Sequence, residues 1–131
     1  MGNEKLAMTV ATHKLALAMD LDPSIKNIDC MKEFYESQNR IFVVHDFIGQ
    51  GYKDLYMLAN IKGSFGEHDI GQIALQLLKG VSYLHHQGIF LRNLKPQSIV
   101  VTEGFKPYSK IKLKITDIAM TLLIQEKNPE W

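Results

Sequence analysis

The sequence predicts an α+β fold, because helical and strand-like patterns occupy separate stretches of its 131 residues. Three observations carry this prediction. Apolar residues recur at helical spacing from about Asp69 to His86, and two strand-like segments flank a polar turn at 36–39. A short apolar run at 99–101 and a stretch of alternating apolar and polar residues at 110–116 then follow a proline-containing loop. The length suits one domain or part of one.

The first half of the chain predicts a helix followed by a hairpin. Glu4 to Met19 places its apolar residues on one helical face, and the composition favours a helix. Strand-like segments at 25–34 and 40–48 flank the turn. The run 41–44 has no polar alternation, so we expect both of its faces to be buried.

The second half predicts two helices before the paired strands. Residues 52–61 suit a short helix, and the spacing of Ser64 and Glu67 suits a capping box for the helix that follows. That long helix carries a continuous apolar stripe, and Gly88 stands where a C-terminal glycine cap is expected.

Composition narrows the class of protein. A hydrophobic content of 46% and a charged content of 22% are typical of a globular domain, and the net charge is +1. Lysines 110, 112 and 114 alternate with apolar residues, which indicates a half-exposed strand, so we expect no nucleic-acid partner. No apolar run reaches the length of a membrane helix, and we expect no membrane insertion. Cys30 is the one cysteine, which fits a reducing compartment, and we expect a cytoplasmic location.

The stretch 91–98 carries the most specific pattern. It reads Leu-Arg-Asn-Leu-Lys-Pro-Gln-Ser, follows a helix ending in Tyr-Leu-His, and precedes a strand pair that ends at Asp117. This order resembles the catalytic loop H-R-D-L-K-P-x-N and the metal-binding D-F-G of protein kinases. The resemblance covers nearly the whole chain. It implies a partial protein-kinase-like fold that comprises the end of the N-lobe, the hinge and the first part of the helical C-lobe. Residues 1–48 are the remainder of the N-lobe, and residues 49–131 are the start of the C-lobe with the catalytic-loop and metal-loop equivalents.

The same resemblance implies a nucleotide site. Residues 40–46 resemble the fifth kinase strand running into the hinge, which places His45 at the gatekeeper and Asp46 to Ile48 in the hinge. The implied cofactors are ATP and Mg²⁺, and we expect the chain to bind both weakly. The implied cofactor-binding residues are His45, Asp46, Ile48, Val100 and Thr116.

The catalytic positions are partly changed. Lys95 matches the lysine that neutralises charge on the transferred phosphate, and Arg92 matches an arginine that contacts the activation segment. Asn93 stands where the base Asp belongs, and its amide cannot accept a proton at neutral pH. Asp117 matches the Mg²⁺-chelating acid, but Ser98 replaces the metal-binding Asn.

Packing positions around the loop also depart from the pattern. Leu91 replaces His, Ile118 replaces Phe and Ala119 replaces Gly, so we expect Leu91 and Ile118 to keep an apolar contact. Ala119 limits backbone freedom, which disfavours a mobile metal-binding loop. The resemblance also implies a Glu in the first helix that pairs with an ATP-binding Lys. That position falls near His13, and no Glu lies between Lys5 and Asp29, so we expect no such ion pair from this helix.

Three functional hypotheses follow. The first is a pseudokinase-like fragment that acts in signalling by binding nucleotide, a protein partner or another kinase. The second is a slow but active Ser/Thr protein kinase, completed by an N-terminal portion with a Gly-rich loop and a strand Lys. The third is a truncated gene product with no function.

Overall fold

The computed structural model describes residues 15–102 and 110–124. Residues 15–19 are helical, so the C-terminal part of the predicted first helix is confirmed, and the rest of that helix lies outside the described residues, as does the turn expected at 104–109. The remaining elements, in chain order, are β1 (Met31–Glu36), β2 (Ile41–His45), β3 (Tyr52–Asp54), α1 (Leu55–Lys62), α2 (Glu67–His86), a 3₁₀ turn (Pro96–Ser98), β4 (Ile99–Thr102), β5 (Leu113–Ile115) and α3 (Ile118–Ile124).

The predicted hairpin is present as β1 paired antiparallel with β2. Its turn is closed by the Ser37 N–H, which donates to the Arg40 carbonyl at 2.8 Å. The first strand starts later than predicted, because residues 25–30 run irregularly beside β5. The expectation that β2 is buried on both faces is wrong. Phe42 and Val44 are exposed, because the described part of this sheet has two strands and leaves one face open.

The short helix predicted at 52–61 begins three residues later. Tyr52 to Asp54 instead pair with β4, and Asp54 then caps α1 by accepting the Met57 N–H at 2.8 Å. The helix ends at Gly63, whose φ of 75° suits glycine and whose N–H donates to the Ala59 carbonyl.

Helix α2 follows the predicted span closely, but its first cap differs. Gly66 occupies the N-cap, so the predicted capping box of Ser64 with Glu67 is wrong. At the other end, Gly88 has a φ of 75° and donates to the His85 carbonyl, while Ile89 donates to the Leu84 carbonyl. This is a Schellman motif, and its C-terminal Ile89 is buried like Leu84. The glycine cap predicted from the sequence is confirmed.

The second sheet has the order β3-β4-β5 and is antiparallel throughout. Its central strand β4 pairs Ile99 with Ile115 and Val101 with Leu113. All four of these side chains are buried, and they form the middle of the core with residues from α2, α3 and the helical segment 15–19. The catalytic-loop equivalent therefore enters directly from the 3₁₀ turn into a buried strand.

Two glutamines attach α2 to the segment that leads into β5. Gln76 donates from Nε2 to the Ile111 carbonyl at 2.7 Å and accepts the Leu113 N–H on Oε1 at 3.0 Å. Gln72, one turn earlier, accepts the Ile111 N–H at 3.0 Å. Asn27 donates to both the Gln76 Oε1 and the Leu113 carbonyl. These side chains therefore form hydrogen bonds with backbone N–H and C=O groups of Ile111 and Leu113, which a neighbouring strand would otherwise form.

Gly80 lets α2 approach β5 closely. A Cβ at this position would lie 2.8 Å from Ile115 Cδ1 and 3.1 Å from the Asn27 carbonyl oxygen. Ile115 is fully buried, so its side chain has little room to move away. A glycine in the middle of a helix lowers helix stability, and the close packing here gives the reason for it.

A pair of alanine substitutions in α2 tests this packing. We expect Gly80→Ala to lower the free energy of unfolding by about 1–3 kcal/mol, because overpacking outweighs the gain in helix propensity. Gly71→Ala is the matched control in the same helix, since nothing lies within 4 Å of its added Cβ. It should raise the free energy of unfolding by about 0.5–1 kcal/mol. Urea denaturation measures both, and equal stability of the two variants would contradict the packing argument.

Candidate functional site

The loop at 91–98 ends in a single 3₁₀ turn. Pro96 opens this turn, where its missing N–H is not needed, and the Ser98 N–H donates to the Lys95 carbonyl at 2.9 Å. Lys95 itself is extended, with φ of −146° and ψ of 160°. The turn therefore changes the chain direction between the exposed Lys95 and the buried Ser98.

The pairing of β4 with β5 brings two predicted metal positions together. Ile99 lies opposite Ile115, so Ser98 and Thr116 are the next residues on either side of the pair. Thr116 donates twice to the Ser98 carbonyl, from its backbone N–H at 2.8 Å and from Oγ1 at 3.2 Å. Asp117 follows directly, and Val100 lies two residues along β4 from Ser98. The structure thus groups four of the predicted site residues at one end of the sheet.

Asp117 adopts a backbone conformation that few residues with side chains adopt. Its φ is 62°, and it is the one non-glycine residue with positive φ among residues 15–102 and 110–124. Its carbonyl accepts the Thr121 N–H at 2.9 Å, so α3 starts immediately after it. The Asp117 side chain is exposed. The strained backbone therefore separates an accessible carboxylate from the buried start of a helix.

Ala119 and Ile118 are both buried in the first turn of α3. Alanine favours helix where glycine would weaken it, so the chain after Asp117 is regular rather than glycine-flexible. Leu91 is partly buried and packs against the core that includes Ile118. A direct contact between Leu91 and Ile118 remains a prediction.

The remaining loop positions face solvent. Arg92, Asn93 and Lys95 are all exposed, and the Arg92 N–H donates to the Phe90 carbonyl at 3.1 Å. Their roles at the base, phosphate and activation-segment positions stay predictions.

The hinge-equivalent residues come directly from the end of β2. Asp46 is exposed and pairs with Lys32 across the hairpin at 2.5 Å, where a register shift between Met31 and Glu33 removes Lys32 from the regular pairing. This hydrogen bond raises the pKa of the Lys32 ammonium. Ile48 is partly buried in the segment after the strand.

His45 has a partner that the sequence analysis missed. Its Nδ1 lies 3.1 Å from Oδ2 of Asp29, whose side chain is 7% exposed. Burial raises the pKa of the Asp29 carboxyl, while His45 and Lys114 lower it. The carboxylates of Asp46 and Asp117 raise it further, so Asp29 lies within electrostatic reach of both the hinge and the metal position. The signal in the sequence was an isolated acid within the apolar stretch 28–31.

The described residues show no group of three or more His, Cys, Asp or Glu side chains that could hold a metal ion. Asp117 offers one exposed carboxylate, and oxygen is the ligand that Mg²⁺ prefers. Ser98, at the second expected ligand position, is only 4% exposed. The donor set therefore suits one Mg²⁺ held by Asp117 together with phosphate oxygens, and it suits a second ion poorly. Within the ranges that the structure covers, no helix is long and apolar enough to span a bilayer.

Comparison with known proteins identifies the class of fold. Residues 8–129 match the protein kinase domain family. The chain is 32% identical over 92 residues to the serine/threonine-protein kinase cds1 of Schizosaccharomyces pombe, covering 70% of this chain and 18% of that protein. It is 34% identical over 94 residues to the human serine/threonine-protein kinase H1, covering 72% of this chain and 21% of that protein.

A solved structure gives the same result. The crystal structure of Rad53 1-466 in complex with AMP-PNP superposes with a TM-score of 0.68 and 33% identity, covering 82% of this chain and 27% of that one. The chain belongs to the protein kinase domain family, and the predicted partial kinase-like fold is confirmed. It spans about a fifth of the length of the two curated relatives above.

The Asp29 carboxyl predicts a specific pH dependence of stability. Because the folded state raises the pKa of Asp29, the protonated carboxyl contributes to stability at pH values below the ordinary pKa of 3.8. This contribution is lost as pH rises through the raised pKa, since the buried side chain must then ionise. Asp29→Asn removes this loss. The unfolding free energy of the variant should therefore rise relative to wild type across that window, as measured by urea denaturation from about pH 3 to about pH 7.

Asp22→Asn is the control of opposite sign. The Ser24 N–H donates to Asp22 Oδ1 at 2.8 Å and lowers the pKa of that carboxyl. Its contribution is present above the ordinary value and is lost as pH falls, so this variant should lose stability relative to wild type as pH rises. If the unfolding free energies of the two variants, each relative to wild type, changed with pH in the same direction, the burial of Asp29 would not be the cause of its effect.

Proposed function

We propose that the chain is part of a catalytically impaired protein kinase domain, a pseudokinase that acts by binding nucleotide, protein or both. The observation that carries the proposal is Asn93, an exposed amide in the loop position where the family has its general base. An amide can orient a substrate hydroxyl but cannot take its proton. Loss of a general base typically lowers the rate by about 10²–10⁴-fold.

The metal positions support the same proposal. Asp117 keeps an exposed carboxylate, while Ser98 offers one short, buried hydroxyl in place of an amide. In this family the metal ions neutralise charge that develops on the transferred phosphate. Weaker metal binding would therefore add to the loss of the base. ATP and Mg²⁺ remain the proposed ligands, bound weakly by Asp117, Lys95 and the hinge residues 45–48.

Protein binding is the second part of the proposal. The predicted stripe of α2 is only partly covered, because Ile73 and Leu84 are buried while Ile70 and Leu78 are more than half exposed. An apolar cavity of about 330 Å³ lies beside this face, lined by α1, the start of α2 and Pro96. Open apolar surface of this kind is typical of protein contacts. The proposed partner is a protein, which includes another kinase, and the proposed location is the cytoplasm.

A slow active Ser/Thr kinase is the alternative that a specific observation favours. Lys95 and Asp117 both persist at the accessible surface of the site, and both curated relatives above are named serine/threonine-protein kinases. This alternative requires a phosphate-binding lysine from another part of the protein. The third hypothesis, a truncated product with no function, predicts aggregation and a non-cooperative melt.

Nucleotide binding is tested by thermal unfolding with ATP, with and without Mg²⁺. A ligand at ten times its Kd should raise the free energy of unfolding by about 1.4 kcal/mol, and we expect this gain to need Mg²⁺. Asp117→Asn should remove the Mg²⁺ dependence, because it removes the exposed carboxylate. Asp20→Asn, an exposed acid at the end of the first helical segment, is the control and should keep it. A wild-type melt that ATP and Mg²⁺ leave unchanged would refute nucleotide binding.

Catalytic impairment is tested by restoring the loop. We expect wild type to transfer little radiolabelled phosphate from ATP to a generic substrate. In a protein that also supplies the phosphate-binding lysine, we expect Asn93→Asp with Ser98→Asn to raise the rate about 100-fold or more. Adding Asp117→Asn to that double variant should abolish the gain. The impairment proposal fails if wild type transfers phosphate rapidly, Asn93→Ala leaves the rate unchanged and Asp117→Asn abolishes it.

A further inference from the structure

A cavity of about 500 Å³ lies between α2, the segment 23–30 and the start of β5. Its volume is within the range of cavities that bind ligands. Four lysines from three separate stretches of the chain line it: Lys26, Lys79, Lys112 and Lys114. Three of them, Lys26, Lys79 and Lys114, form no direct ion pair with any residue that the structure describes. Positive charge is therefore concentrated here, although the net charge of the chain is only +1.

The two acids that line the same cavity already have partners outside its lining. Asp46 pairs with Lys32, and Asp29 Oδ2 lies 3.1 Å from His45 Nδ1. Neither Lys32 nor His45 is among the lining residues. These two acids therefore leave the lysines of the cavity available to an anionic ligand.

Asp29 also leaves one oxygen without a hydrogen bond. Its side chain is 7% exposed, and its Oδ1 has no hydrogen-bond partner among the described residues. Burial raises the pKa of the Asp29 carboxyl while His45 and Lys114 lower it, so Lys114 lies close to this acid. A buried polar atom without a partner costs free energy, and a ligand that donates a hydrogen bond to Oδ1 would recover that cost.

Part of the cavity wall is apolar. Pro23 is exposed and Ile25 is half-buried, and both line the cavity with the lysines. A fitting ligand therefore carries several negative charges, a hydrogen-bond donor and an apolar group. Ionised phosphate supplies the charge but neither an N–H nor an apolar part. A peptide with acidic and apolar side chains supplies all three, because each of its residues except proline also has a backbone N–H.

We propose that this cavity is a docking site for an acidic peptide segment of a protein partner. The carboxylates of the segment pair with Lys26, Lys79 and Lys114, and one of its backbone N–H groups donates to Asp29. The inference rests on the proposed protein binding and adds the chemistry of the partner. The site is separate from the apolar cavity beside α1, because the two cavities share no lining residue.

The test measures the binding of a short fluorescent peptide of alternating glutamate and leucine to the whole 131-residue chain by anisotropy. A peptide with glutamine in place of glutamate is the matched control. We expect only the acidic peptide to bind, and its affinity should fall as salt rises, because salt screens exposed charges. Equal binding of the two peptides would overturn the inference.

Substitutions in the chain locate the site. Lys26→Gln, Lys79→Gln and Lys114→Gln should each lower the affinity about 2–5-fold, the value of one exposed ion pair, and the triple variant should lower it about tenfold or more. Lys110→Gln is the matched control, since Lys110 is exposed just before β5 but does not line the cavity. It should keep the wild-type affinity.

Thermal melts check that the variants fold. If the triple variant does not fold, Lys79→Glu decides, because Lys79 is exposed on α2 and the change reverses its charge. We expect Lys79→Glu to weaken binding by about tenfold. An unchanged affinity in Lys79→Glu would overturn the inference.

Inorganic phosphate distinguishes a peptide site from a simple anion site. We expect phosphate to displace the acidic peptide only at concentrations far above the Kd of the peptide, because it cannot donate to Asp29 or cover Ile25. Displacement at concentrations near that Kd would overturn the inference. If the acidic peptide does not bind but ATP with Mg²⁺ raises the melting temperature, this inference fails and the nucleotide part of the proposed function stands. If the chain binds neither peptide nor ATP, both fail.

Discussion

The close packing of Ile115 against Gly80 is the constraint on which the rest of the structure depends. Ile115 is fully buried in the last position of β5, and the missing side chain of Gly80 lets α2 lie against it. The same residue pairs with Ile99 of β4 and forms a bridge with Ile28. Three separate stretches of the chain are therefore positioned by one short strand, which is why a single methyl group at Gly80 has no free space.

This arrangement connects His45, at the predicted hinge, with Asp117, at the predicted metal position. The Ile115 carbonyl accepts the Asp29 N–H, and Asp29 in turn contacts His45 at the end of β2. Two residues after Ile115, Asp117 reaches the surface at the end of the same strand. Asp29 is hydrogen-bonded to β5, and Asp117 follows the end of the same strand. A shift of β5 would therefore move the nucleotide-base side and the phosphate side of the proposed site together.

The sequence predicted those features that depend on local pattern. Gly88 marks the end of α2 because only a residue without Cβ adopts positive φ easily, and the loop 91–98 enters a strand because Pro96 interrupts regular structure. Prediction from the sequence failed where burial and side-chain contacts depend on residues far away along the chain. Ile41 to Val44 reads as a fully buried strand, yet its exposure depends on whether other strands cover it. Gln76 looks like an ordinary surface residue of a helix, because its backbone partner Leu113 belongs to β5, 37 residues further along the chain.

The loop also shows why the kinase fold and the kinase reaction make separate demands on the sequence. The Ser98 carbonyl accepts both bonds from Thr116, and the Lys95 carbonyl accepts the Ser98 N–H. The loop therefore takes part in these bonds through backbone atoms alone, which are present whatever its side chains are. Asn93 is exposed and contributes no burial. If Asn93 and Ser98 stand at the base and metal positions, as proposed, these replacements would remove chemistry while leaving the loop backbone satisfied. A chain under no demand to transfer phosphate can lose those two side chains and still keep the loop, because its shape depends on Pro96, Ile99 and the pairing with β5.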